Sequence, residues 1–206
     1  FNGIENSPVW NYIDGGVSWS PFESSCCSSE PVITVHNNKL YAMWGSGQPD
    51  YKVRIAVYNG DDSSPSWSFV DDGGIIKSPK KETRTADIVS YGGNLFLTWE
   101  EFFYGKLPEQ IRISKFNNND SSPSWSYVDG GLSQGIDYDP EKGGGIPRIT
   151  VFNSRLYVTW SEASQEIRVA RYKEQLTHTS ASKITSVSVP NHLWTKQWGT
   201  PNVDFA

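Results

Sequence analysis

One phrase is written three times along this chain, and its spacing constrains the fold more than any single residue does. Its first half reads Leu40-Tyr41-Ala42-Met43-Trp44, then Leu95-Phe96-Leu97-Thr98-Trp99, then Leu156-Tyr157-Val158-Thr159-Trp160. Its second half reads Val53-Arg54-Ile55, Ile111-Arg112-Ile113 and Ile167-Arg168-Val169. A closing phrase, Ser64-Pro65-Ser66-Trp67-Ser68-Phe69-Val70, returns as Ser122-Pro123-Ser124-Trp125-Ser126-Tyr127-Val128. It also stands near the start as Ser7-Pro8-Val9-Trp10-Asn11-Tyr12-Ile13. The arginines lie 58 and then 56 residues apart, and the closing tryptophans 57 and 58. A fixed period of this size is the signature of a modular fold in which each unit buries its apolar face against its neighbours.

Each repeat holds four short stretches of strand chemistry parted by turn residues. In the first they are residues 32–36, 39–44, 51–58 and 66–70. Asn37-Asn38 offers a tight hairpin turn between the first two, and Gly92-Gly93 and Asn153-Ser154 occupy the same place. Asn59-Gly60-Asp61-Asp62 and Asn117-Asn118-Asn119-Asp120 open the loops before the fourth strands. Asp71-Asp72-Gly73-Gly74, Asp129-Gly130-Gly131 and Asp14-Gly15-Gly16 follow them, where the chain swings to the next unit. The pattern predicts an all-β, β-propeller-like fold of about three four-stranded blades. A β-sandwich is the alternative, but it does not require one phrase to recur in register.

The repeats fill residues 1–173, leaving residues 174–206 as an extension expected to pack on an edge or a partner through Ile184, Val187, Val189, Trp194 and Trp198. Residues 1–16 match the end of a third strand and then a fourth strand with its exit turn, whereas the last repeat loses the pattern after its third strand. The N-terminal strand is therefore expected to complete the C-terminal blade. A rival, Leu193-Trp194-Thr195, begins 25 residues after Arg168, its Trp at 26, whereas Trp67 and Trp125 each follow their arginine by 13. Three blades fall short of the usual four to eight. The chain is thus expected either to complete a larger ring as a homo-oligomer, most simply a dimer, or to be a fragment of a longer protein.

Composition narrows the partners. Charged residues make up 20% and the formal net charge is −5, so nucleic acid, which needs clustered Lys and Arg, is not an expected partner. No apolar run is long enough for a membrane span. The opening on Phe1 rather than Met suggests a processed, extracellular segment, secreted or at a cell surface. Cys26-Cys27 are adjacent and His36, His178 and His192 are scattered, so no metal-ligand spacing is present. Calcium is the one cofactor with candidate oxygens, at residues 59–62, 117–120 and Asp137-Tyr138-Asp139-Pro140-Glu141. None has the spacing of a known loop, and turn capping accounts for them; no cofactor is expected.

The recurring side chains admit two readings each. Arg54, Arg112 and Arg168 are either inter-blade arginines paired with an acid two strands away or donor forks for sugar hydroxyls. Trp44, Trp99 and Trp160, like Trp10, Trp67 and Trp125, are either filling between blades or flat platforms for a sugar ring. The one-off Phe102-Phe103-Tyr104 is a pocket wall or an oligomer contact. Carboxylates for glycoside hydrolysis exist (Asp87, Glu100, Glu101, Glu109, Glu162), but catalysis needs one asymmetric centre. Copies of one set suit several equivalent weak sites that act through avidity. A sialidase-like cluster of the three arginines ranks last.

The repeat phrase, with Ile-Arg-Val and Asn-Gly-Asp-Asp-Ser-Ser-Pro-Ser-Trp-Ser-Phe-Val, resembles one found in secreted and cell-surface proteins of bacteria, a likeness that implies no settled activity. It covers residues 1–16 and 31–172. More distantly it is similar to fucose-binding propeller lectins, which carry Ile-Arg-Val on an inner strand of each blade and in some cases assemble a ring from short chains. That resemblance implies a sugar held between blades by an Arg, a Glu and a Trp. The matching residues are Arg54, Arg112 and Arg168 for the first role and Glu100 or Glu101 and Glu162 for the second, while the spacing around Trp is unlike that of those lectins. The first blade departs, since Trp44-Gly45-Ser46 has no acid. The expectation is a lectin-like, carbohydrate-binding module with repeated sites at or between blades and no chemistry. The alternative is a structural or adhesive module that assembles through its edges. Arg112→Ala is expected to abolish sugar binding with the fold intact; unfolding would mark the arginine as structural.

Overall fold

A computed structural model describes residues 10–14, 29–46, 52–75, 81–103, 106–130, 135–136, 143–162 and 166–173. The expected tail packing of residues 174–206, Cys26-Cys27, Tyr104 with the side chains of Phe102 and Phe103, and the acidic residues 137–141 lie outside what is described. The strands are β1 (Ser29–His36), β2 (Lys39–Gly45), β3 (Val53–Tyr58), β4 (Trp67–Phe69), β5 (Lys81–Tyr91), β6 (Asn94–Phe103), β7 (Lys106–Phe116), β8 (Trp125–Tyr127), β9 (Gly144–Phe152), β10 (Arg155–Glu162) and β11 (Ile167–Arg171). They form three antiparallel sheets with the orders β1-β2-β3-β4, β5-β6-β7-β8 and β11-β10-β9. Among the described residues no helix is long and apolar enough to cross a membrane.

The turns explain why each repeat starts as a hairpin. Asn37 and Asn38 sit at φ 48° and 59°, Gly92 and Gly93 at 56° and 73°, and Asn153 and Ser154 at 47° and 52°. Two successive positive-φ residues are what a type I′ turn needs, and its twist matches that of the flanking strands. The fourth strands are shorter than the sequence suggests, three residues each in β4 and β8. The pairing continues past them through single bonds, Val70 N to Ile55 O at 2.9 Å and Val128 N to Ile113 O at 3.0 Å.

Period-two alternation then sends neighbouring residues of one strand to different sheets. Leu95, Leu97 and Trp99 of β6 join Tyr41, Met43, Val53 and Ile55 in one core between the first and second sheets. Phe96 of the same strand, with Ile111 and Ile113 of β7, meets Leu156, Val158 and Trp160 of β10 in a second core. The middle sheet is therefore buried on both faces. Strands β1 and β2 pack on β5, while β5, β6 and β7 pack on β9.

Polar ties lock the stack at its turn end. His36, almost fully buried, places Nδ1 2.8 Å from Ser90 Oγ and Nε2 2.9 Å from Asn118 Oδ1. Asn118 Nδ2 donates in turn to Gly93 O at 2.9 Å. Between the second and third sheets, Asp87 Oδ2 accepts the Ile149 amide at 3.0 Å.

Candidate functional site

The repeated Trp and Arg are cross-strand partners in every sheet: Trp44 with Arg54, Trp99 with Arg112 and Trp160 with Arg168. Both side chains of a pair thus leave the sheet on one face. In the second sheet that face meets the first sheet, and in the third it meets the second. Trp99 and Arg112 are fully buried, and Trp160 and Arg168 are 1% and 4% exposed. In the first sheet Trp44 is buried against Phe69, with ring centroids 6.0 Å apart, while the Arg54 side chain is 19% exposed.

Alternation also separates the two candidate acids of β6. Glu101 shares the parity of Trp99 and is fully buried with it, and its charge helps raise the Tyr127 hydroxyl above its ordinary value, after burial itself. Glu100 turns the other way, where its Oε2 accepts Thr85 Oγ1 and the Ile146 amide, each at 3.2 Å, and ties the third sheet. Gly145 admits this approach, because a Cβ there would meet Glu100 Oε2 at 3.2 Å. Glu101 is thus the acid that travels with the Trp and Arg. In the third sheet the equivalent Glu162 is buried and stands 3.0 Å from Arg168 Nη2, and Glu166 stands 2.5 Å from the same nitrogen.

Sequence reasoning missed the principal partners of two arginines. Arg54 Nε lies 2.6 Å from Asp71 Oδ2, which also accepts the Ile55 amide at 3.0 Å. Arg112 engages Asp129 with two nitrogens, Nε to Oδ2 at 2.8 Å and Nη2 to Oδ1 at 3.2 Å, and the Ile113 amide adds a bond of 2.9 Å. Aromatic rings from the fourth strands cover the guanidinium groups, Phe69 at 4.1 Å from Arg54 Cζ and Tyr127 at 4.5 Å from Arg112 Cζ. A signal for both aspartates was present. Each follows its arginine by 17 residues, but in a position that reads as turn chemistry.

The strand-two tryptophans stand apart from these ion pairs. The indole Nε1 atoms of Trp99 and Trp160 are buried without a hydrogen-bond partner among the described residues. The strand-four indoles differ: Trp125 Nε1 donates to Val70 O at 2.9 Å and Trp67 Nε1 to Ile13 O at 3.0 Å. A groove of about 380 Å³ lies elsewhere, lined by residues that include Asn38, Lys39, Tyr58 and Asn59 and by none of the repeated Trp, Arg and Glu. Of the loop oxygens weighed for calcium, Asn118 Oδ1 meets His36 and the Asp120 carboxylate accepts Lys39 and Tyr41, while others are engaged by their own turns. Asp61 Oδ1 accepts the Ser63 amide and hydroxyl, and Asn119 Oδ1 accepts the amides of Ser121 and Ser122.

No family model and no curated protein matches the chain. Three solved chains match its structure. One, described as a BT0996 RGII complex, aligns at a TM-score of 0.39 and 12% identity over 76% of this chain. The present chain spans 59% of that protein's length. A likeness this weak fixes neither fold nor function.

Proposed function

We propose that this chain is a secreted, propeller-type module that binds carbohydrate without chemistry, at equivalent sites where successive blades meet, and that it works as a homo-oligomer. The stacking of like sheets, each offering the same face to the one before it, supports the propeller reading. One observation carries the sugar reading: Trp99 and Trp160 repeat a buried indole N–H without an acceptor, each beside a carboxylate and a guanidinium. Leaving such a donor unpaired costs about 1–3 kcal/mol, a cost that a ligand hydroxyl would offset. A sugar ring also has an apolar face for an indole plane and hydroxyls for the charged groups. Arg54 and Arg112 are committed to Asp71 and Asp129, and Arg168 to Glu162 and Glu166, so the discriminating contacts fall to the indoles of Trp99 and Trp160, with Glu101 beside the first.

The test is a glycan array probed with the intact chain and with Trp99→Phe, which keeps an aromatic ring but removes the N–H. Binding that weakens at least tenfold in the variant supports the proposal. No sugar bound by the intact chain overturns it.

A second reading is favoured by the full burial of Arg112 and Asp129. Here the repeated trio is a bolt between sheets, and the chain is a structural or adhesive module. On this reading Trp99→Phe leaves every binding property unchanged and alters only stability, through the cavity opened in the core and the donor removed from it.

A further inference from the structure

Residues 10–14 carry the closing phrase of the repeat, and their position identifies which blade they belong to. Trp10, Tyr12, Ile13 and Asp14 correspond to Trp67, Phe69, Val70 and Asp71, and to Trp125, Tyr127, Val128 and Asp129. The Val70 carbonyl receives the Trp125 indole of the following sheet, and the Ile13 carbonyl receives the Trp67 indole in the same way. Residues 10–14 therefore stand where the fourth strand of a blade preceding the first sheet would stand.

The third sheet shows the converse. Its β11 is paired with β10 and has no fourth strand among the described residues. Its Arg168 is held by Glu162 and Glu166, where Arg54 and Arg112 have an aromatic ring and an aspartate from the fourth strand. The first and third sheets lie on opposite faces of the middle one, so residues 10–14 and the sheet with three described strands are at opposite ends of the stack.

The end faces match as well. On the first sheet Ile33 is 67% exposed, whereas Ile88 and Ile149 at the same repeat position are 4% and 6% exposed against a preceding sheet. On the third sheet Ile167 is 59% exposed, whereas its counterparts Val53 and Ile111 are fully buried against a following one. Each end displays the apolar half of a junction that is closed twice inside the chain.

We infer that two copies join head to tail, the first sheet of one packing on the third sheet of the other, and that residues 10–14 of the first copy become the fourth strand beside β11 of the second. The register follows from the internal pairs Val57 with Ser68 and Lys115 with Ser126, which set Asn11 opposite Arg171. The same register brings the Ile13 amide to the Val169 carbonyl, lays Tyr12 over Arg168 and presents Asp14 to the Arg168 guanidinium. The occupant is a second copy, because residues 10–14 carry the closing phrase that follows β3 and β7 in the other two repeats, and because the exposed Ile33 and Ile167 are the two halves of a junction closed twice inside the chain. The inference rests on the propeller reading and leaves the sugar reading independent of it.

The experiment uses two chains in a Cys26→Ser, Cys27→Ser background, one with Asn11→Cys and one with Arg171→Cys. Mixed and mildly oxidised, they are expected to give a covalent dimer of one of each, since paired strand residues have Cα atoms about 5.5 Å apart. Asp14→Lys in the first chain should reduce its yield at least tenfold. No mixed dimer overturns the inference. So does a chain carrying both cysteines that cross-links only within itself, which would mean that the strand serves its own third sheet. Glycan binding measured on the same proteins reports separately on the sugar reading.

Discussion

Asp71 divides its carboxylate between two tasks: Oδ1 accepts the amides of Gly73 and Gly74 and shapes the exit turn, while Oδ2 holds Arg54 and the Ile55 amide. Asp129 meets Arg112 with both oxygens where neither side chain reaches water. Removing one member of such a buried pair strands the other charge, so Asp129→Ala should cost about 3–5 kcal/mol in urea unfolding. Asp71→Ala should cost clearly less, because Arg54 can turn to solvent. The expectation that Arg112→Ala leaves the fold intact is revised on the same ground: loss of stability of that size should accompany the substitution. A second residue-scale effect comes from Tyr41 and Tyr127. Burial raises both hydroxyls above the ordinary 10.0, helped for Tyr41 by its hydrogen bond to Asp120 and for Tyr127 by the charge of Glu101. Above pH 10 the unfolded chain loses these protons and the folded chain keeps them. Their stabilisation is thus complete below that pH and falls as pH rises past it. The melting temperature should decline above about pH 10, and less steeply in Tyr127→Phe.

At the scale of the element, each hairpin depends on two successive residues at positive φ. Asn38→Gly should leave stability unchanged or raise it, whereas Asn38→Val should lower it by about 1–3 kcal/mol, since a β-branched side chain is strained there. Thermal melts of the two variants check this, and equal midpoints would show that the turn does not set the hairpin. These turns were legible in the sequence because Asn-Asn, Gly-Gly and Asn-Ser are local signals with local consequences. The assignment of Glu100 and Glu101 was not legible. Adjacent residues of a strand face opposite sheets, and a recurring bulge between Thr83 and Ala86 shifts the register of the partner strand. Which acid joins the Trp and Arg is therefore settled by strand parity and by the sheets on either side.

For the whole molecule, the double burial of the middle sheet orders its local stabilities. Amide exchange should be slowest in β6 and β7, whose side chains feed both cores, and fastest in β11 at the edge of the third sheet. Equal protection across the three sheets would show that the stack unfolds as one unit. The sequence by itself determined the all-β class, the strand-turn punctuation, the recurrence of Trp and Arg at fixed places in each repeat and the kinship of residues 10–14 with β4 and β8. All of these rest on composition and period, which a single chain displays locally. Only the tertiary structure decided that the trio lies between sheets rather than open to water, that Asp71 and Asp129 hold Arg54 and Arg112, and that the Ile13 carbonyl receives the Trp67 indole. Those outcomes depend on which face of one sheet meets which face of the next, and burial arises only when both are in place.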